Sequence, residues 1–64
     1  MKIKTFKNGS VVTFEKSFPS GMYCVLLRDP SGEVADKIRL DDYESARAYF
    51  KAFCNVAKNI NAGS

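Results

Sequence analysis

After Leu40 the spacing of apolar residues changes from two to about three and a half. Tyr43, Ala46, Phe50, Phe53, Ala57 and Ile60 then fall on one face of a helix running roughly from residue 42 to 59. Everything before that switch reads as strands and turns, so the chain must lay one amphipathic helix on a sheet. Asp41 or Asp42 can cap the helix, and Asp41 with Glu44 three residues on makes a variant of the capping box.

The strands are delimited by turn residues. Asn8-Gly9 between KIKTFK and SVVTFEKSF is a strong hairpin signal, because both residues tolerate the positive φ of a two-residue turn. Asp29-Pro30-Ser31-Gly32 separates MYCVLLR from EVADKIRL, with proline at the first central position of a type I turn and glycine after it. Pro19-Ser20-Gly21 joins the two hairpins. The expected fold is α+β: a four-stranded antiparallel meander of two hairpins, with one C-terminal helix packed on one face. At 64 residues there is room for one domain, expected over 1–60, with 61–64 a flexible tail.

A two-residue turn at Asn8-Gly9 sets Phe6 against Val11 and Ile3 against Phe14, which places Ile3, Val12 and Phe14 on one face. A three-residue loop in the second hairpin pairs Asp29 with Glu33, Leu27 with Ala35 and Cys24 with Ile38. Met22, Cys24, Leu26, Val34, Ile38 and Leu40 then join the core against Tyr43, Ala46, Phe50 and Phe53. The run MYCVLL divides by parity. On this register Phe6, Val11, Tyr23, Val25, Leu27 and Ala35 point away from the helix, flanked by Lys2, Lys4, Lys37 and Arg39, with Glu15 the lone acid. No second helix exists to cover them. Arg47, Lys51 and Lys58 form a further basic strip, within about 40 degrees of one another on a helical wheel, and are expected to be a solvated helix surface.

Catalytic chemistry has little to work with. The chain contains no histidine, and its two cysteines, Cys24 and Cys54, are too few for a zinc site of the usual ligands. They are expected to pack as small buried hydrophobes, a single disulfide being the alternative. The acidic pairs Asp41/Asp42 and Asp29/Glu33 are accounted for by capping and turn formation, and no glycine-containing loop leads into a helix as a phosphate-cradling loop would. The expectation is a non-enzyme with no cofactor and no metal. The N-terminal MKIKTFKNGS lacks the apolar stretch of a secretory signal, so a cytoplasmic protein without membrane association is expected. A formal charge of +3 favours an anionic partner.

The segment GMYCVLLRDPSGEVADKIRLDDYESARAYF resembles the last two strands and helix of the three-strand-plus-helix DNA-binding domains at the N-terminus of tyrosine recombinases. That resemblance implies that the sheet face opposite the helix enters the DNA major groove, with Tyr23, Lys37, Arg39 and Lys4 as contacts. Val25, Leu27 and Ala35 depart from it, since aliphatic side chains can touch thymine methyls but supply no hydrogen bonds to base edges. The layout of a miniature chain with an NG hairpin, a meander and one closing helix also resembles small phage anti-CRISPR and other anti-defence proteins. It implies stoichiometric obstruction of a larger host complex and names no residues.

Two readings follow. In the first, the chain is a small protein-binding module, a homodimer or a phage or mobile-element inhibitor, which uses an apolar-centred, basic-rimmed sheet face built from Phe6, Val11, Tyr23, Val25, Leu27, Lys37 and Arg39. In the alternative, the same face binds DNA or RNA, with Lys2, Lys4, Lys37 and Arg39 on phosphates and Tyr23 or Phe6 stacking on bases.

Overall fold

The computed structural model describes residues 1–60, and the expected tail lies outside the described residues. Strands β1 (Lys2–Thr5), β2 (Val11–Lys16), β3 (Tyr23–Arg28) and β4 (Val34–Leu40) precede one helix, α1 (Tyr43–Lys58). The strands form a single antiparallel sheet in the order β1-β2-β3-β4. The α+β meander with one C-terminal helix is therefore the architecture, and α1 packs chiefly on β3 and β2, with β4 at the margin. No helix among the described residues is long and apolar enough to cross a membrane.

The helix begins where its sequence specifies. Asp42 takes an extended backbone, and its carboxylate accepts from the Ser45 N–H at 2.9 Å and the Ser45 hydroxyl at 2.8 Å. Of the two candidate caps, Asp42 is the one used, with Ser45 rather than Glu44 completing the turn. The Ser45 hydroxyl, with its N–H, holds the Asp42 carboxyl below its ordinary value of 3.8. Asp29, bound by the Ser31 hydroxyl and by the N–H groups of Ser31 and Glu33, is lowered in the same way. Each stabilisation is present above the unfolded-state value and is lost as pH falls through the lower folded-state value. The thermal midpoint is therefore expected to drop as pH is taken from about 4 downward. Asp42→Asn keeps a capping oxygen that cannot titrate, so a thermal melt series should show a shallower acid drop for it; an unchanged slope would remove Asp42 from that role.

Both hairpins differ from expectation by one residue. In the first, Phe6 donates to the Ser10 carbonyl at 2.9 Å and Gly9 to the Phe6 carbonyl at 2.9 Å, so the loop has three residues, Lys7, Asn8 and Gly9. Within this loop only Gly9 takes positive φ, at 96°, and among the described residues no non-glycine residue does. A type I′ turn would need positive φ at Asn8 as well, so the loop is instead a type I turn closed by a left-handed glycine. The shift pairs Thr5 with Val11 and Ile3 with Thr13. In the second hairpin Asp29 pairs with Glu33 through a three-residue loop as expected, and Arg28 faces Val34. The register then slips, and Leu27 faces Asp36, Val25 faces Ile38 and Tyr23 faces Leu40. Ala35 is the extra residue of this bulge.

These two slips exchange half of the side chains between faces. Val12, Val25, Leu27, Ala46, Phe53 and Ala57 form the buried core, with Phe6, Phe14, Tyr23, Ile38, Leu40, Phe50, Cys54 and Ile60 packed against it. Val25 is 0% and Leu27 2% exposed, so the parity of MYCVLL is the reverse of the expected one. Tyr23, Val25 and Leu27 lie under the helix, and Cys24 and Leu26 lie on the far side. Ile3, 60% exposed, and Val34, 49% exposed, leave the expected core, and Tyr43 at its margin is half-exposed. The two cysteines lie on opposite sides of the sheet and are both free thiols, which rules out the disulfide within this chain.

Candidate binding surfaces

Two surfaces lie outside the core, and most of the ten cations divide between them. The first is the sheet face that no element covers. Its rows follow from the register: Thr5, Val11, Arg28 and Val34; Ile3, Thr13, Leu26 and Lys37; Glu15, Cys24 and Arg39. Val11, Lys37 and Arg39 are the expected partner-binding residues that lie here. Arg28 joins them because it is the outward-facing end of β3, a position that the two-face sorting of apolar residues had not considered. Phe6, Tyr23, Val25 and Leu27 are corrected out of the surface: the first two pack against the core and the last two are inside it. Of the DNA contacts implied by the recombinase resemblance, Lys37 and Arg39 stay on the uncovered face, whereas Tyr23 lies on the helix side.

The second surface is the seam between β1 and α1. Pairing sets Lys2 against Phe14 and Lys4 against Val12, so both lysines are on the helix side of the sheet and not on the uncovered face. Because α1 lies over β2 and β3, the β1 side of that face is less covered and carries a cavity at each end, the two together forming a groove along β1. Lys2 and Arg47 line its first part, around Phe14, Tyr43 and Phe50. Lys7 and Lys58 line its last part, around Phe6 and Asn8. Between them, Lys4 lies over the Phe6 ring at 5.9 Å from its centroid. The Cys54 thiol is raised above its ordinary value by burial, against the opposing pull of Lys4 and Lys58.

Arg47, Lys51 and Lys58 share the helix stripe beside Cys54, with Glu44 the acid on the same side. Five of the ten cations, Lys2, Lys4, Lys7, Arg47 and Lys58, thus border one groove that follows β1 for about 17 Å at the rise of a strand, with Lys51 exposed on the same helix stripe. The helix strip is identifiable in the sequence. Its partnership with Lys2, Lys4 and Lys7 depends on the first hairpin's register and is not.

The groove is closed at one end by Asn8. Its Nδ2 donates to the Ala57 carbonyl at 2.7 Å and the Ile60 carbonyl at 2.8 Å, while its Oδ1 accepts from the Ser10 N–H at 2.8 Å. The first hairpin is thereby tied to the helix C-terminus, whose last carbonyls have no partner within the helix.

No family model matches the chain, and neither a curated protein nor a solved structure is similar to it. Among the described residues no three His, Cys, Asp or Glu side chains are placed to hold a metal ion together.

Proposed function

We propose that the chain is a nucleic-acid-binding protein that takes a single strand of DNA or RNA along the β1–α1 groove. One observation carries this reading: five cations from β1, the first turn and α1 border one groove whose floor and walls include Phe6, Phe14, Tyr43 and Phe50. A basic groove tracks a phosphate backbone, and aromatic side chains within it offer base-stacking surfaces that tolerate any sequence. Lys2 and Lys4 serve as phosphate contacts as in the alternative reading of the sequence, but from the helix side. The action is binding without chemistry.

Fluorescence anisotropy with a labelled oligothymidylate tests it. If about four phosphates are neutralised, log affinity should fall with log salt at a slope near −3, a loss of about fifty-fold between 50 and 200 mM salt. The double variant Lys4→Gln/Lys58→Gln should weaken binding about tenfold and flatten the slope by about 1.4. Binding that ignores salt, or that survives this variant, would overturn the reading.

A second reading rests on the uncovered sheet face, where Ile3, Val11, Leu26 and Val34 present aliphatic surface among Arg28, Lys37 and Arg39. Such a face suits an acidic protein partner and stoichiometric inhibition. Lys37→Gln/Arg39→Gln separates the readings, because it leaves the groove intact.

A further inference from the structure

Resting on the nucleic-acid reading, we infer that the cavity at the Lys2 end of the groove is a subsite for one nucleotide unit, a single aromatic base with its phosphate. The cavity is about 170 Å3 and is lined by Met1, Lys2, Phe14, Tyr43, Arg47 and Phe50. An apolar cavity of about 150 Å3 holds one benzene ring, so this one accepts one flat ring and excludes a stacked pair. Its aromatic walls meet edge to face: Phe14 and Tyr43 are 6.0 Å apart at 80°, and Phe14 and Phe50 are 5.8 Å apart at 90°. Phe14 is stacked face to face on neither neighbour, which leaves ring surface for a planar guest.

The polar lining is cationic. Lys2 comes from β1 and Arg47 from the helix, so the two charges flank the apolar walls from opposite sides, and among the described residues no carboxylate lines the cavity. An aromatic ring bearing an anionic group satisfies both parts, because the guanidinium can bind two phosphate oxygens at once while Lys2 adds a point charge. A neutral ring would leave the charges unused, and a bare phosphate would leave the rings unused. The opposite end of the groove, at Phe6, Lys7, Asn8 and Lys58, is a wider space of about 350 Å3 with a single ring. The strand is therefore anchored by one base near Lys2 and runs along β1 toward Lys7.

Titration of the full chain with thymidine 5′-monophosphate, thymidine and inorganic phosphate, followed by NMR shifts of the Phe14, Tyr43 and Phe50 rings, tests this. The monophosphate should shift those rings and bind at least tenfold more tightly than either fragment, and Arg47→Gln should reduce it to the level of thymidine. Equal affinity for phosphate alone, or shifts confined to the Phe6–Lys58 end, would overturn the subsite. Failure here with salt-dependent oligothymidylate binding intact removes the subsite and leaves the proposed function standing. Monophosphate binding without any oligothymidylate affinity does the reverse.

Discussion

Leu27→Glu is expected to leave the protein unfolded, whereas Leu26→Glu, one position earlier, leaves it folded. Leu27 is 2% exposed, enclosed with Val12 and Val25 beneath the helix, and lies across from Asp36. The substitution removes a buried aliphatic group, worth about 2–5 kcal/mol, and brings a second carboxylate beside an existing one in a site with no cation to receive it. A domain of this size has a total stability of about 3–10 kcal/mol, so a loss of at least about 4 kcal/mol takes most of it. Leu26 points to the uncovered face opposite Lys37, where a carboxylate finds a cation, and its cost should stay within about 1 kcal/mol. Far-UV circular dichroism with urea melts reads both. The reverse pattern, a folded Leu27→Glu and a collapsed Leu26→Glu, would mean that β3 has the opposite parity.

Asn8→Ala should cost about 2–3 kcal/mol, a large effect for a residue in a surface turn. The side chain makes three hydrogen bonds, two of them to carbonyls some fifty residues away at the helix end, and none can be supplied by alanine. Unlike an ordinary turn substitution, it should also loosen the last turn of α1, visible as faster amide exchange from Asn55 to Asn59. Ser10 provides the control. It is fully buried and its hydroxyl has no hydrogen-bond partner among the described residues, so Ser10→Ala should be neutral or slightly stabilising in the same urea melts. A loss below about 0.5 kcal/mol for Asn8→Ala would show that the turn and helix are not coupled.

At Asn8 a long-range contact overrides the local turn signal. Asn-Gly is the residue pair of a two-residue turn, and on sequence grounds the choice is sound. Here the asparagine side chain is committed to the helix end, its backbone does not take positive φ, and the turn lengthens by Lys7. One added residue carries Phe6 inward and Ile3 outward along the whole of β1, because side chains alternate with a period of two. The bulge at Ala35 acts in the same manner on β3 and β4. The inward positions Ile38 and Leu40 are as the sequence indicates; what changes is their partners, now Val25 and Tyr23 in place of Cys24 and Met22. The binding face expected from Tyr23, Val25 and Leu27 followed from the wrong partner for β4.

What the sequence determined alone is the list of elements: two hairpins from their glycine-containing turns, one helix from its 3.5-residue period and its aspartate cap, and a helix face centred on Ala46, Phe50, Phe53 and Ala57. Those signals are local, each carried by a few neighbouring residues. What only the tertiary structure decided is which side of each strand meets the helix, and with it the gathering of Lys2, Lys4 and Lys7 with Arg47 and Lys58 along one groove. In β3 both faces are apolar, so hydrophobicity does not choose between them; the choice falls to a bulge and to a turn held from across the fold, which no stretch of neighbouring residues encodes.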